Sequence, residues 1–306
     1  MSSDSSGIPI ASTREQTHRI TGLALAAAGA VAFSGKAIIV KLSYRYGVDA
    51  VTVIMYRMLF ALPLFLLLSF WAGRGRAPLS AADWRLLCGL GFCGYYLASF
   101  LDFSGLQFIG ANLERLIVYL SPTFVLALST LLFDVRVTRR QWIALIVSYL
   151  GVALVFGHDL SVTGAHVALG SALVLGSAAS YAVYLVFSGQ AVKRLGAMRI
   201  TGVATSIACV LCILQFFVLR PVASMAVAPQ VIGLSVLNAT FCTFLPVLLV
   251  MLAIERVGAP LVAQTGNIGP VSTIIMSVVV LGEPFTAWLL TGTVLVLVGI
   301  GLLARR

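Results

Sequence analysis

Long apolar runs alternate along this chain with short breaks that contain charged residues, glycine or proline. A helix needs about 20 mainly apolar residues to cross a bilayer, whereas the strands of a membrane barrel alternate over about ten residues. Continuous runs of sufficient length lie at 20–41, 50–71, 85–109, 112–133, 139–157, 166–190, 199–219, 231–254, 259–281 and 285–303. The pattern therefore predicts an all-α integral membrane protein with ten transmembrane helices.

The composition supports this fold class. Hydrophobic residues make up 60% of the 306 residues, charged residues only 10%, and the mean hydropathy is +1.06. These values exclude a soluble globular domain. Residues 1–19 are polar and contain no apolar run, so we expect a short disordered cytoplasmic tail. The first apolar run is too long for the core of a signal peptide.

The net charge of +10 could indicate a nucleic-acid partner, but the positions of the basic residues argue against one. Fourteen Lys and Arg residues fall in the terminal segments and in the breaks on the same side of the membrane, and three fall in the breaks on the other side. Segments rich in Lys and Arg face the cytoplasm. The sequence therefore predicts that both termini are cytoplasmic and that the protein binds no nucleic acid.

A fixed offset of 148 residues aligns the two halves of the chain. It places identical residues on one another at Gly22 and Gly170, Gly110 and Gly258, Pro122 and Pro270, and Gly151 and Gly299. We therefore expect a first five-helix repeat (20–157), an outer linker (158–165) and a second five-helix repeat (166–306). Because five is odd, the second repeat is inverted in the membrane. Inverted repeats place a binding site between them, near the midplane, and expose it to each side in turn.

Five charged residues lie within predicted helices of the first repeat: Lys36, Arg57, Asp102, Glu114 and Arg115. A charge inside a bilayer is costly and usually faces a polar interior or a partner. Lys36 shares a face with small residues, which favours the bundle interior, although it could snorkel outward. We expect partners for Arg57 on helices 3 and 4. Asp102 is either such a partner or a proton site.

The first turns of helix 4 carry two adjacent charges. Arg115, Tyr119 and Pro122 share one face of the helix, and Glu114 points about a quarter-turn away. Our hypothesis is that Arg115 faces the cavity while Glu114 pairs with Lys36 or Arg57. The alternative is that both charges lie at the headgroup level and only anchor the helix end.

None of the five charges recurs in the second repeat, which instead offers aromatic and neutral polar groups. This division suits a substrate with one ionic end and one polar or apolar end. The predicted substrate-binding residues are Arg115, Arg57, Tyr95, Tyr119, Tyr184, Gln264 and Asn267, and those predicted for proton coupling or charge pairing are Asp102, Glu114 and Lys36. Gln264 and Asn267 could instead hold helix 9 to its neighbours.

Two short motifs have structural explanations. Residues 89–94 read Gly-Leu-Gly-Phe-Cys-Gly and match a dinucleotide-binding pattern, but no strand precedes them. Cys209 and Cys212 lie one turn apart in an apolar run without His or acidic residues nearby, so we expect them to be packing residues. No H-E-x-x-H or G-x-S-x-G motif occurs. The sequence therefore predicts no metal, no cofactor and no enzymatic activity.

The chain resembles the EamA family of the drug/metabolite transporter superfamily. The resemblance rests on the five-plus-five helices, on Gly-Ala at the start of helices 4 and 9, on a proline within each, and on Leu281-Gly282-Glu283-Pro284 after helix 9. The segment from Gly94 to Pro122 is similar to a bacterial subgroup. The resemblance implies a multi-pass carrier of the bacterial inner membrane with a central cavity lined by both repeats.

Family members commonly carry Gly-Glu after both helices 4 and 9, but residues 133–136 here read Phe-Asp-Val-Arg. We therefore expect Glu283 to orient a helix end at the surface rather than to act in transport.

The sequence thus predicts a secondary transporter that exports small polar or zwitterionic organic metabolites by alternating access. Its expected partners are the substrate, the bilayer and, if transport is coupled, protons. The alternatives are an uptake carrier for a small carboxylate or nutrient and a non-transporting receptor or scaffold. The sequence predicts no oligomeric state.

Overall fold

The computed structural model describes residues 10–133, 137–163, 166–257, 261–262, 265–266 and 268–304. All regular structure in these ranges is helical. The helices are α1 (Ile10–Tyr44), α2 (Ala50–Gly73), α3 (Ala81–Leu106), α4 (Ala111–Phe133), α5 (Arg139–Thr163), α6 (His166–Leu195), α7 (Ala197–Leu219), α8 (Pro229–Ala239, Thr240–Phe244 and Leu245–Val257), α9 (Ile268–Leu281) and α10 (Ala287–Ala304).

Eight of these helices, α1 to α8, are long and apolar enough to cross a membrane. The described parts of α9 and α10 are apolar but shorter, and they stand where helices 9 and 10 are predicted. Two helices extend beyond the predicted spans. α1 begins at Ile10, because residues 10–19 contain no glycine or proline to interrupt it, and α5 continues to Thr163 through most of the interval expected to be a linker.

The packing of the helices follows the two repeats. α1 packs against α8 and α9, and the equivalent helix α6 packs against α3 and α4. α2 packs against its own equivalent α7, and α5 against its equivalent α10. Exchanging the two repeats therefore leaves the set of helix pairs unchanged, as expected for a fold built from two copies of five helices. Most of the helix packing that forms the core joins one repeat to the other.

The contact between α5 and α10 depends on facing glycines. A Cβ atom added at Gly151 would lie 2.6 Å from the carbonyl oxygen of Gly292. Small residues let two helix backbones approach this closely. The packing of α5 against α10 thus joins the first repeat to the second.

Two irregular features recur at the 148-residue offset. A π-helical segment occupies Phe92–Leu97 in α3, and a second begins at Thr240 in α8. α4 is interrupted by a turn at Tyr119 and Leu120, and the chain has a turn at Gly266 before α9. Pro122 and Pro270 follow these turns, and proline lacks the N–H that would bond the carbonyl four residues earlier. In both repeats, the carbonyl four residues before the proline, at residue 118 or 266, therefore lacks the N–H donor that an α-helix normally supplies.

Candidate functional site

Charged residues from three helices meet inside the bundle. Lys36 on α1 donates to Asp102 Oδ2 on α3 at 2.5 Å, and its Nζ lies 3.6 Å from Glu114 Oε1 on α4. Arg115 Nε lies 4.0 Å from the other oxygen of Glu114. Lys36 therefore points into the bundle and shares its charge between two carboxylates. We call Lys36, Asp102, Glu114 and Arg115 the charge cluster.

The carboxyl groups of the charge cluster are deeply buried and incompletely paired. Glu114 has 0% and Asp102 3% of its surface exposed. Within the described residues, neither oxygen of Glu114 and only one oxygen of Asp102 accepts a hydrogen bond. Buried carboxylates are costly unless they are paired and hydrogen-bonded. Because the two carboxyls are neighbours, a proton on either one supplies a donor for the other.

Arg115 and Tyr119 connect α4 to both repeats. Arg115 Nη2 donates to the carbonyl of Phe33 on α1 at 3.3 Å. One turn later, the Tyr119 hydroxyl donates to the carbonyl of Gly266 at 3.0 Å. That carbonyl lies four residues before Pro270, so it lacks its usual helical donor. Tyr119 thus bridges the proline-associated breaks of the two repeats.

Arg57 lies on α2 with 5% of its surface exposed. Its Nε donates to Thr243 Oγ1 on α8 at 2.9 Å, and its guanidinium lies 5.0 Å from the ring centroid of Phe103 on α3. Phe103 is a partner on helix 3 as predicted, but the hydrogen bond of Arg57 reaches α8 instead of helix 3 or 4. In the described part of the chain, no carboxylate lies within 4.0 Å of Arg57, and its Nη1 has no hydrogen-bond partner.

Thr243 is a site residue that the sequence analysis missed. It lies in the π-helical segment of α8 and is the repeat equivalent of Tyr95, which lies in the matching segment of α3. Thr205, the equivalent of Arg57, lies beside the Tyr95 hydroxyl. The same pair of repeat positions therefore meets twice across the interface between the repeats, and the 148-residue offset was the signal that could have identified Thr243.

Tyr95 on α3 forms an aromatic group with Tyr181 and Tyr184 on α6. The hydroxyls of Tyr95 and Tyr184 are 3.3 Å apart, and the rings of Tyr181 and Tyr184 stack with centroids 5.6 Å apart. These tyrosines pack against Leu87 and Leu90. Tyr95 precedes Asp102 by seven residues, or about 10 Å along the helix. The structure therefore separates Tyr95 and Tyr184 from the charge cluster, whereas Tyr119 lies one turn from Arg115.

The predicted residues of helix 9 are placed only in part. Gln264 and Asn267 lie outside the described residues. Thr265 between them is described, and its hydroxyl donates to the carbonyl of Leu261 within its own segment. Asn238 on α8 is 1% exposed and its Nδ2 reaches the backbone carbonyl of Lys36 at 3.5 Å.

One end of the interface between the repeats is closed by polar contacts. Gly282 ends α9 with a left-handed φ of 72°, a conformation that suits glycine, and the turn directs Glu283 toward the other repeat. Glu283 accepts hydrogen bonds from the backbone N–H groups of Ala111 and Asn112 at 2.9 and 3.4 Å. Glu283 therefore contacts a helix end, but the end belongs to α4 of the first repeat.

Two further contacts strengthen this end. Ser277 donates to Asn112 Oδ1 at 2.6 Å, which joins α9 to α4. Lys41 on α1 donates to the carbonyls of Leu106, the last residue of α3, and of Ile109, which follows it. Backbone carbonyls at a helix C-terminus attract a cation, and backbone N–H groups at a helix N-terminus attract a carboxylate. We call the contacts of Glu283, Ser277 and Lys41 the interface latch.

Comparison with known proteins places this geometry in a family. The chain is 31% identical over 268 residues to the uncharacterized transporter YcbK of Bacillus subtilis (strain 168), covering 83% of each chain. It is 26% identical over 214 residues to the uncharacterized transporter YyaM of the same organism, covering 69% of this chain and 70% of YyaM. An uncharacterized transporter of Archaeoglobus fulgidus is 25% identical over 202 residues, covering 66% and 71%.

A protein of known crystal structure shares the fold, with a TM-score of 0.61 at 16% identity over 92% of this chain and 96% of that one. The model of the EamA-like transporter family matches twice, at residues 20–157 and 168–305. The protein is thus a multi-pass membrane transporter that contains the buried charges, the two proline-associated breaks and the packing of one repeat on the other. The chain belongs to the EamA-like transporter family.

Proposed function

We propose that this protein is a secondary transporter for small polar or zwitterionic organic metabolites that carry a carboxylate, and that Arg57 binds that carboxylate. In this proposal ten helices cross the bacterial inner membrane, both termini are cytoplasmic, and the carrier exports its substrate by alternating access. The observation that supports it most directly is the burial of Arg57 without a carboxylate partner in the described structure.

The balance of charge supports an anionic group on the substrate. Within the described bundle, Lys36, Arg57 and Arg115 are cationic, and Asp102 and Glu114 are anionic. If all five are ionised, one positive charge remains uncompensated. A buried charge without a partner is costly in a membrane. A bound carboxylate would remove this excess, which gives the site a reason to prefer anionic or zwitterionic compounds.

The distribution of partners identifies Arg57 as the uncompensated cation. Lys36 pairs with Asp102, and Arg115 lies beside Glu114. In the described residues, Arg57 hydrogen-bonds to the neutral Thr243 hydroxyl and lies over the face of Phe103, and Asp102 acts on it only at longer range. Its Nη1 donor is unpaired in the described residues. A guanidinium binds a carboxylate through two parallel hydrogen bonds, so a free donor beside an occupied Nε suits a substrate carboxylate.

The remainder of the substrate would contact neutral groups. The Tyr95, Tyr181 and Tyr184 rings provide aromatic surface, and Thr205 adds a hydroxyl. Tyr184 and Thr205 are buried, and Tyr95 lies about 10 Å along α3 from Asp102 of the charge cluster. Such a combination of one charged and several aromatic contacts is typical of small-molecule sites.

We further propose that transport is coupled to protons through Asp102 and Glu114. Asp102 and Glu114 are neighbours, and their oxygens are incompletely hydrogen-bonded in the described residues. Protonation of Glu114 would remove a buried charge and supply a donor to Asp102. The groups that face Glu114 are Lys36 from α1, Asp102 from α3 and Arg115 on its own helix. Substrate binding at Arg57 would change the charge balance that holds this proton.

The test begins with purified protein in detergent. A thermal-shift screen against amino acids, organic acids, amines and nucleobases identifies ligands, and each hit is then measured for flux in proteoliposomes. We expect hits among compounds with a carboxylate. Because a charge-assisted hydrogen bond contributes about 1.5–3 kcal/mol, Arg57→Gln should reduce flux more than tenfold. Arg57→Lys, which keeps the charge but loses the planar fork, should retain an intermediate flux.

The control is Arg220→Gln, which removes an arginine from the chain segment after α7 and should leave flux within twofold. Each variant must match the wild-type melting temperature within a few degrees before its flux is compared. Hits that lack a carboxylate, or a flux that Arg57→Gln leaves unchanged, would contradict the assignment of Arg57. Ligand binding without flux would identify a receptor instead of a carrier.

A further inference from the structure

A pocket lies away from the charge cluster, where the end of α2 meets the beginnings of α3 and α7. It is a cavity of about 290 Å³ lined by residues that include Arg74, Arg199, Phe70 and Trp84. Gly73 also lines it, and a Cβ atom added there would lie 4.0 Å from Arg199 Nε. The absence of a side chain at Gly73 thus helps to keep the pocket open beside Arg199.

This pocket is at the membrane boundary. α2 ends at Gly73, α3 begins at Ala81 and α7 begins at Ala197. The distribution of basic residues assigns this end to the cytoplasm. Phe70, near the end of α2, is 66% exposed, and Trp84, in the first turn of α3, is 49% exposed. Aromatic side chains, especially Trp, are enriched at the depth of the lipid headgroups. The opening of the pocket therefore faces the headgroup region of one leaflet.

Two arginines in the pocket have no acidic partner within the described residues. The guanidinium of Arg74 lies 4.7 Å from the ring centroid of Phe70, and Arg199 is in no ion pair of the described chain. Asp83 is the acidic residue next to Trp84 in sequence, but it caps the start of α3 and pairs with Arg194. The pocket thus combines two uncompensated positive charges with aromatic and aliphatic walls.

We propose that this pocket binds the phosphate headgroup of an anionic phospholipid. Arg74 and Arg199 contact the phosphate, and Phe70, Trp84 and Val203 lie along the glycerol and the first part of the acyl chains. Basic pockets between transmembrane helices on the cytoplasmic side bind anionic headgroups, and each Lys or Arg near the membrane surface contributes to that attraction. A soluble anion would satisfy the arginines but would leave the exposed aromatic wall without a partner.

Binding at this place would act on the packing of the transporter. The pocket lies where α2 packs against α7, the contact that joins equivalent helices of the two repeats. α2 also carries Arg57. A lipid held by Arg74, which directly follows α2, and by Arg199 of α7 would tie the ends of these two helices together. The proposal does not depend on the identity of the transported compound.

The test measures lipid binding to the full-length protein. Delipidated protein in detergent is titrated with phosphatidylglycerol, with phosphatidylcholine or with inorganic phosphate, and bound lipid is counted by native mass spectrometry. We expect phosphatidylglycerol to bind in preference to phosphatidylcholine. Arg74→Gln and Arg199→Gln should each weaken binding about fivefold, and the double variant more than tenfold. The matched control is Arg85→Gln, because Arg85 is an exposed arginine beside Trp84 that does not line the pocket.

The second measurement is Trp84 fluorescence in a protein that keeps both Arg74 and Arg199. Its result therefore does not depend on whether the arginine variants fold. The chain contains four tryptophans. A variant with Trp71, Trp142 and Trp288 replaced by Phe retains only Trp84, whose fluorescence brominated phosphatidylglycerol should quench more strongly than brominated phosphatidylcholine.

Three results would overturn the proposal. Equal binding or equal quenching by the two lipids would show that the headgroup is not recognised. A loss in Arg85→Gln as large as that in the pocket variants would assign the effect to general surface charge. Displacement of the lipid by millimolar inorganic phosphate would show a site for a soluble anion.

Discussion

The Oε1 atom of Glu283 lies 2.9 Å from the backbone nitrogen of Ala111, so a carboxylate that follows α9 caps the first turn of α4 in the other repeat. The first N–H groups of a helix have no partner within the helix, and this end attracts negative charge. The repeat equivalent of Glu283 is Val135, which has no acceptor in its side chain. The residue at the repeat-equivalent position therefore has no side-chain oxygen with which to form the same cap.

We predict that Glu283→Ala weakens the interface latch, because the N–H groups of Ala111 and Asn112 lose their acceptor. Loss of a helix cap costs about 1 kcal/mol, which should lower the melting temperature by a few degrees and raise access from outside the cell. The probe is Ser277→Cys, a buried position that donates to Asn112, in a background without the five native cysteines. A membrane-impermeant maleimide should label this cysteine severalfold faster when Glu283 is Ala.

Glu283→Gln is the matched variant, because it keeps one acceptor oxygen and loses the charge. Its labelling rate should lie between those of the wild type and Glu283→Ala. Equal labelling of all three proteins from the outside would show that Glu283 does not control access.

Arg115→Ala should abolish transport while the protein still folds. Arg115 donates to the Phe33 carbonyl of α1 and is the cation beside Glu114, so its removal breaks a bridge between α4 and α1 and alters the charge cluster. The measurement is substrate flux in proteoliposomes, with expression and melting temperature as the test of folding. Arg139→Ala, which changes an exposed arginine at the start of α5, is the control. Unchanged flux in Arg115→Ala would remove Arg115 from the site.

Glu114→Gln should separate proton coupling from transport itself. Gln cannot gain or lose a proton, so the variant should still exchange substrate across the membrane but should no longer respond to an imposed pH gradient. The wild type should accumulate substrate when the gradient is imposed. If wild-type flux ignores the gradient, the carrier works by facilitated exchange, and the buried carboxyls serve only to pair with Lys36 and Arg115.

The sequence predicted the helical spans well because a bilayer requires long apolar runs. It also predicted the repeat, since the offset of 148 residues connects glycines and prolines whose backbone roles recur. The π-helical segments at Phe92 and Thr240 were not predicted. In a run that is apolar on every face, no periodic pattern marks the place where the helix gains a residue.

The pairing of charges was only partly predictable. Helical spacing shows which residues share a face, and it placed Glu114 and Arg115 on different faces. It does not show which helices are neighbours, so the hydrogen bond between Arg57 and Thr243, 186 residues apart, required the tertiary structure. The contact of Glu283 with Ala111 likewise depends on a turn that brings the two repeats together.

The last prediction concerns a contact outside the membrane-spanning segments. Asp49 Oδ2 lies 3.2 Å from Arg220 Nε, which joins the start of α2 to the end of α7. Asp49 also caps α2, since its Oδ1 accepts from the N–H groups of Val51 and Thr52. Partial burial raises the pKa of Asp49, but the hydrogen bonds from Arg220 and Thr52 outweigh that effect and hold the pKa below its ordinary value.

A carboxyl with a lowered pKa stabilises the folded protein above its unfolded pKa, and this contribution is lost as the pH falls through the folded pKa. Asp49→Ala should therefore lower the free energy of unfolding by about 1 kcal/mol at pH 7, and the difference from wild type should shrink below about pH 4. Arg220→Gln should cost less than about 1 kcal/mol, because the pair is partly exposed and screened by solvent. Denaturant titrations in detergent at pH 7 and at low pH measure both effects.

Asp49→Asn is the matched control, because it keeps an acceptor for the cap without the charge. Its loss of unfolding free energy should match that of Arg220→Gln. A loss in Asp49→Ala that stays constant with pH would contradict the role of the charged carboxylate.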